Sequence, residues 1–185
     1  MATTNLGPFG NKPPTLAQQA QRMHFALTMR FLSPLKSIIG KGYGNGKATK
    51  TPLAQCKAYH TKHAITGTYP DLEIDYSKVV LTTGRLCSVG NIEMFSNRKS
   101  CIDFSWTDRC AYMCNQTDQA ILVAYNPSQH RHEYLRTNST RSDECATLEV
   151  PLGFSGQKVH CWIIFISANG KEFSISRYLG SVIVA

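Results

Sequence analysis

Apolar residues recur at three-to-four spacing early in the chain and at alternate positions later. Leu16, Ala20, Met23, Leu27 and Phe31 fall on one helical stripe. Phe25, Ala26, Met29 and Leu32 widen the stripe, so the pattern predicts a helix buried on more than one side. Thr15, followed three residues later by Gln18, has the form of a capping box and sets the start. Ser33-Pro34 opens a second, short helix with proline at the favoured first position, and Gly40 ends it. Thr51-Pro52 repeats that signal for a third helix reaching about Ala64, and Gly67 and Pro70 close the helical part.

From Leu72 the period becomes two. Residues 73–76 alternate, and 77–81 continue as a strand. Further strands are predicted at 92–95, 101–106, 120–125, 132–136, 146–150, 159–167 and 173–184. Turn residues separate them, and Asn169-Gly170 is a two-residue hairpin signal between Ile166 and Phe173. Regularly punctuated strands of this kind suggest an antiparallel β-sandwich, with Trp106, Tyr125 and Trp162 as core aromatics. The pattern therefore predicts an α+β chain: an extended arm over 1–14, two to three helices in a basic segment over 15–68, and the sandwich over 69–185. Pro8, Pro13 and Pro14, with Gly7 and Gly10, keep the arm extended.

Charge sharpens this picture. The chain is +8, yet residues 1–70 contain nine basic residues and no Asp or Glu, so that segment is +9 and the remainder is −1. Lys36, Lys41, Lys47, Lys50, Lys57 and Lys62, interleaved with Tyr43 and Tyr59, are candidates for contact with an anion or a partner, and could track a phosphate backbone. The alternative is a solvated basic face, or one that docks on Asp71, Glu73 and Asp75. No apolar run approaches the length that spans a bilayer. The opening MATTNLGPFGNKPP lacks the basic-then-apolar plan of a secretory signal.

Motifs for chemistry are weak. GKGYGNGKATK resembles a phosphate loop, but the position that needs glycine is Lys41, Ala48 cannot ligand a magnesium ion, and a helix rather than a strand precedes it. His60 and His63 are spaced to share a metal, without a nearby carboxylate. His130-Arg131-His132 reads as a solvated hairpin tip, and His160 and Cys161 point to opposite faces of a strand. The seven cysteines fit no zinc spacing; structural thiols are expected, with Cys110–Cys114 or a cross-strand pair as alternative disulfides.

The segments FALTMRFLSPLKSIIGKGYG and HAITGTYPDLEIDYSKVVLTTGRL, followed by FSWTD, QAILVAYNP, PLGFSGQKVH and FISANGKEFSISRYLGSVIVA, resemble an uncharacterised Bacteroidetes family, a domain of unknown function. The resemblance covers about residues 13–185. It implies a C-terminal immunoglobulin- or fibronectin-like sandwich and brings no known activity. Together, the pattern and the resemblance lead to a non-enzymatic, self-assembling structural subunit, with no cofactor and no small-molecule substrate. Leu6, Pro8, Phe9, Pro13 and Pro14 are its assembly arm, and a homo-oligomer is the expected state. The rival expectation is a nucleic-acid-associated protein acting through its acid-free segment. Virion or cell surface follows as location only on the assembly reading.

Overall fold

The computed structural model describes residues 13–44, 49–108 and 115–185. Helix α1 (Leu16–Leu32) begins as its sequence directs. The Gln18 backbone N–H donates to the Thr15 hydroxyl at 3.3 Å, and the Thr15 N–H donates to Gln18 Oε1 at 3.0 Å. Pro34 opens a short 3-10 turn that leads into α2 (Lys36–Gly42). The helix thus passes Gly40 and ends at Gly42, which packs so closely on Thr82 that an added Cβ would lie 2.5 Å from its methyl carbon. Helix α3 (Pro52–His63) is capped by Thr51, whose hydroxyl accepts from the Ala54 N–H.

A hairpin follows that the alternation did not reveal: β1 (Ile65–Thr68) pairs antiparallel with β2 (Asp71–Ile74). The strand expected over 77–81 is absent. The Asp75 carboxylate accepts from both the backbone N–H and the hydroxyl of Ser77, which folds residues 76–78 into a 3-10 turn.

The remaining strands are β3 (Gly90–Phe95), β4 (Cys101–Thr107), β5 (Gln119–Asn126), β6 (Arg131–Thr140), β7 (Cys145–Glu149), β8 (Lys158–Ile166) and β9 (Arg177–Ile183). They form two antiparallel sheets, ordered β3-β4-β7 and β6-β5-β8-β9. This is an immunoglobulin- or fibronectin-like sandwich. The chain reverses at Asn169-Gly170 between Ile166 and Phe173, which bridge, but not through a two-residue turn: the Gly170 N–H donates to Ser167 O, centring the turn on Ala168-Asn169. Strand β9 starts later than alternation suggested. Ahead of it, Ser174 still donates its N–H to Phe165 O of β8 at 2.8 Å, while Ser174 and Ile175 bridge on their other side to Leu86 and Thr83.

Two cores share one sheet. Between the sheets lie Ile102, Phe104, Trp106, Leu122, Leu148, Cys161, Ile163 and Phe165. On the other face of β5 and β8, Ile121, Val123, Tyr125, Trp162, Ile164 and Ile166 meet Phe31, Leu32, Leu35, Ile38 and Ile39 from the helices. The molecule is therefore layered helix, sheet, sheet. Tyr125 and Trp162 belong under the helices, not in the sandwich interior where alternation placed them; only Trp106 is there. Each fully buried aliphatic or Phe side chain stabilises by about 1.5–3 kcal/mol, so the central sheet draws on both faces.

Helix α1 departs most from expectation. Within it only Thr28, Phe31 and Leu32 are buried. Leu16 is 73% exposed and Phe25 51%. Its last turns sit on the sheet, while its earlier turns pack only on α3 and the β1–β2 hairpin, which cover one side.

Candidate functional site

The predicted lysines divide. Lys36 and Lys41 on α2, Lys50 ahead of α3, and Lys62 on α3 are exposed. Lys57 is half-buried, with Nζ 4.2 Å from the Phe25 ring centroid, so it serves α1 packing. Among the described residues, none of these five makes an ion pair. The acidic stretch does not receive them: Asp75 pairs with Lys78 at 2.9 Å instead. Lys47 lies outside the described residues, as do Leu6, Pro8 and Phe9 of the arm. Pro13 is exposed, and Pro14 O accepts from Gln19 Nε2 at 2.9 Å, joining the arm to α1.

Lys41 has neighbours that its sequence position conceals. The loop over 82–86 runs between the end of α2 and residues 173–175. The Thr83 N–H donates to Gly42 O at 2.8 Å, the Gly44 N–H donates to the Thr83 hydroxyl at 2.8 Å, and the Leu86 N–H donates to Phe173 O at 3.0 Å. Gly84 approaches so closely that a Cβ would sit 1.8 Å from Phe173 O; only glycine fits. Here a cavity of about 380 Å³ opens, lined by Lys41, Thr83, Arg85, Lys171 and Glu172. A second, of about 500 Å³, shares Arg85 and Glu172 and extends to Asn115, Thr117, Ser167 and Asn169. Asp118, at its floor, is 2% exposed and lies 3.4 Å from the wholly buried Arg141 guanidinium. Arg85 and Lys171 escaped the sequence reading because only the fold brings them to Lys41.

Two of the groups with nucleophilic or metal-binding chemistry, Cys56 and His60, are internal and pinned, whereas Cys145 and His63 are exposed. Cys56 Sγ lies 3.5 Å from His60 Nδ1, a separation that suits a nucleophile and its base. However, Nδ1 is 2.7 Å from Cys56 O, while Nε2 accepts from the Val80 N–H at 3.2 Å. This assigns the proton to Nδ1 and keeps the ring neutral. Burial pushes the Cys56 thiol up to about 12, so it stays protonated. With both its nitrogens engaged, His60 is not available to share a metal with His63 despite their spacing. Among the described residues no three His, Cys, Asp or Glu side chains converge as metal ligands. Cys56, Cys101, Cys145 and Cys161 are free thiols; Cys110 and Cys114 lie outside the described residues.

His132 is not a solvated loop residue. Its ring packs against Phe31 and Tyr125 with centroids 4.8 and 4.4 Å away, and both nitrogens are buried without a hydrogen-bond partner. Burial lowers it to about 4. His160, stacked on Tyr76 at 4.0 Å and 2.7 Å from the Tyr178 hydroxyl, is lowered to about 4 by burial and then by Lys158. Both are neutral in the fold but protonate near the ordinary pH of about 6.5 once unfolded. The unfolded chain therefore binds more protons between about pH 6.5 and 4, and stability falls as pH drops through that window. His132 should contribute about 3 kcal/mol to the loss, and His160, nearer solvent, less. Urea titrations at stepped pH should show this slope, and His132→Phe, which fills the same slot, should flatten most of it.

Fold and surface together define a fibronectin-like sandwich with a helical layer on its four-stranded sheet and a basic cleft at one loop end. The sequence assigns it further: residues 9–180 match DUF6266, a family of unknown function, and the chain belongs to that family. No curated protein matches the sequence. Among solved structures, it is similar to a fibronectin type III domain of the human collagen alpha-1(XX) chain, at 14% identity and a TM-score of 0.40, over 54% of this chain and 87% of that one. It is also similar to the FN5 domain of Drosophila Lar, at 10% identity and 0.36, over 52% and 92%. Among the described residues no helix is long and apolar enough to cross a membrane.

Proposed function

We propose that this protein is a non-enzymatic, self-assembling structural subunit of a virion, tail or extracellular surface filament, with residues 1–14 contacting a neighbouring copy. The observation that carries the reading is that α1, which directly follows the arm, leaves two large apolar side chains exposed, Leu16 at its start and Phe25 on the opposite side nine residues on. Large apolar side chains left open beside an extended arm favour contact with a neighbouring copy, which would cover them together with the arm.

Sedimentation tests this directly. Wild-type protein should sediment as an oligomer, and deletion of residues 1–14 or Phe25→Glu should yield monomers with an unchanged far-ultraviolet circular dichroism spectrum. A wild-type monomer, or a deletion that leaves the sedimentation profile unaltered, overturns the reading. A second reading, a nucleic-acid-associated protein, draws on the exposed Lys36, Lys41, Lys50 and Lys62, none of them ion-paired among the described residues. It requires affinity for DNA or RNA that falls steeply with salt, and an absence of binding at low salt removes it.

A further inference from the structure

We propose that the cleft between α2, the 82–86 loop and the Asn169-Gly170 hairpin binds a small organic ester of phosphate or sulfate, with Lys41, Arg85 and Lys171 holding its oxyanion.

The three cations come from three separate parts of the chain and line one open cleft of about 380 Å³, a volume that admits a small ligand. None makes an ion pair among the described residues, and Glu172, the one acid in that lining, makes none either. All three residues are exposed, and against the single Glu172 they leave the lining net positive, which attracts an oxyanion. The arginine fork also matches the paired oxygens of a phosphate or sulfate group.

The cleft wall is built rather than loose. Thr83 and Leu86 are tied by backbone hydrogen bonds to Gly42 and Phe173, one on each side of the Arg85 segment, and Gly84 is locked against Phe173. Preorganisation of this kind lowers the ordering cost of binding. The Thr83 hydroxyl oxygen, on a residue that lines the cleft, accepts from the Gly44 N–H. Beyond Arg85 the adjoining cavity of about 500 Å³ changes character: Asn115, Thr117, Ser167 and Asn169 offer neutral donors and acceptors. Charge at one end and amide or hydroxyl groups at the other suit an ester whose organic part carries hydroxyls. Lys41 was visible in the sequence as part of a lysine-rich loop; in the fold it works with two cations from the sandwich.

Isothermal titration of the full chain with glucose 6-phosphate, glucose 6-sulfate and glucose tests the site. One or both esters should bind with a Kd of about 0.1–1 mM, weakening as salt rises, and glucose should bind at least ten-fold more weakly. The double variant Arg85→Gln/Lys171→Gln should weaken ester binding at least ten-fold, while Lys62→Gln, on the exposed surface of α3, should leave it unchanged. Phosphate and sulfate arms that differ identify the anion the cleft prefers. Neither ester binding, glucose binding as tightly as its esters, or Lys62→Gln weakening binding as much as the double variant overturns the assignment. The double variant should keep the wild-type sedimentation profile, which separates this test from that of the arm and α1.

Discussion

Phe31→Ala is expected to lower stability by about 3–5 kcal/mol, roughly 6–20 °C in Tm for a chain of this size. Phe31 is 2% exposed at the point where α1 meets the central sheet. Its ring touches Tyr125, His132, Trp162 and Tyr76, with centroids 4.9, 4.8, 6.0 and 6.2 Å away. Truncation removes the shared partner of four rings and leaves a hole that β5 and β8, hydrogen-bonded on both sides, cannot close. Calorimetry provides the comparison, with Phe25→Ala as the matched control. Phe25 is half-exposed and loses mainly the Lys57 contact, worth about 0.5–1 kcal/mol. Equal shifts for the two variants would mean that the helical layer is not anchored at Phe31.

Arg141→Met should cost about 3–5 kcal/mol, the penalty for removing one partner of a buried ion pair. Arg141 is 0% exposed. Its Nη2 donates to Cys87 O at 2.9 Å and lies 3.4 Å from Asp118, and its guanidinium carbon sits 4.5 Å over the Phe165 ring. Methionine replaces the packing of the stem but strands the Asp118 carboxylate, which among the described residues then keeps the Asn115 N–H at 3.0 Å. Asp118→Asn in the same background removes the stranded charge and should recover part of the loss. Urea midpoints at constant m-value measure both steps. A single variant within about 0.5 kcal/mol of wild type would show that water reaches the pair, as for an exposed bridge.

Much of the fold was legible in the chain because its signals are local. Thr15 with Gln18 and Thr51-Pro52 each act within a few residues and form as their patterns direct, and Asn169-Gly170 marks a reversal of the chain whose turn is shifted by one residue. The Asp75–Ser77 contact that replaced a strand with a turn is also local, but alternation masked it. The candidate site was legible only at Lys41. Arg85 and Lys171 look like ordinary loop charges until the bridges of Thr83 and Leu86 to residues 174 and 175 draw their loops together.

Length, charge asymmetry, helix starts and strand alternation were determined by the sequence itself, since they depend on neighbours along the chain. The face each element buries was decided by the tertiary structure. QAILVAYN and KVHCWIIFI are apolar on both sides, and periodicity cannot say that one side meets a second sheet and the other a helical layer. Likewise, the broad stripe of α1 reads as buried on more than one side, yet only its last turns reach the sheet. Burial depends on what lies opposite in space, and that is set by contacts between residues far apart in the chain. For the same reason Leu16 and Phe25 remain outside, and Lys41, Arg85 and Lys171 share one cleft.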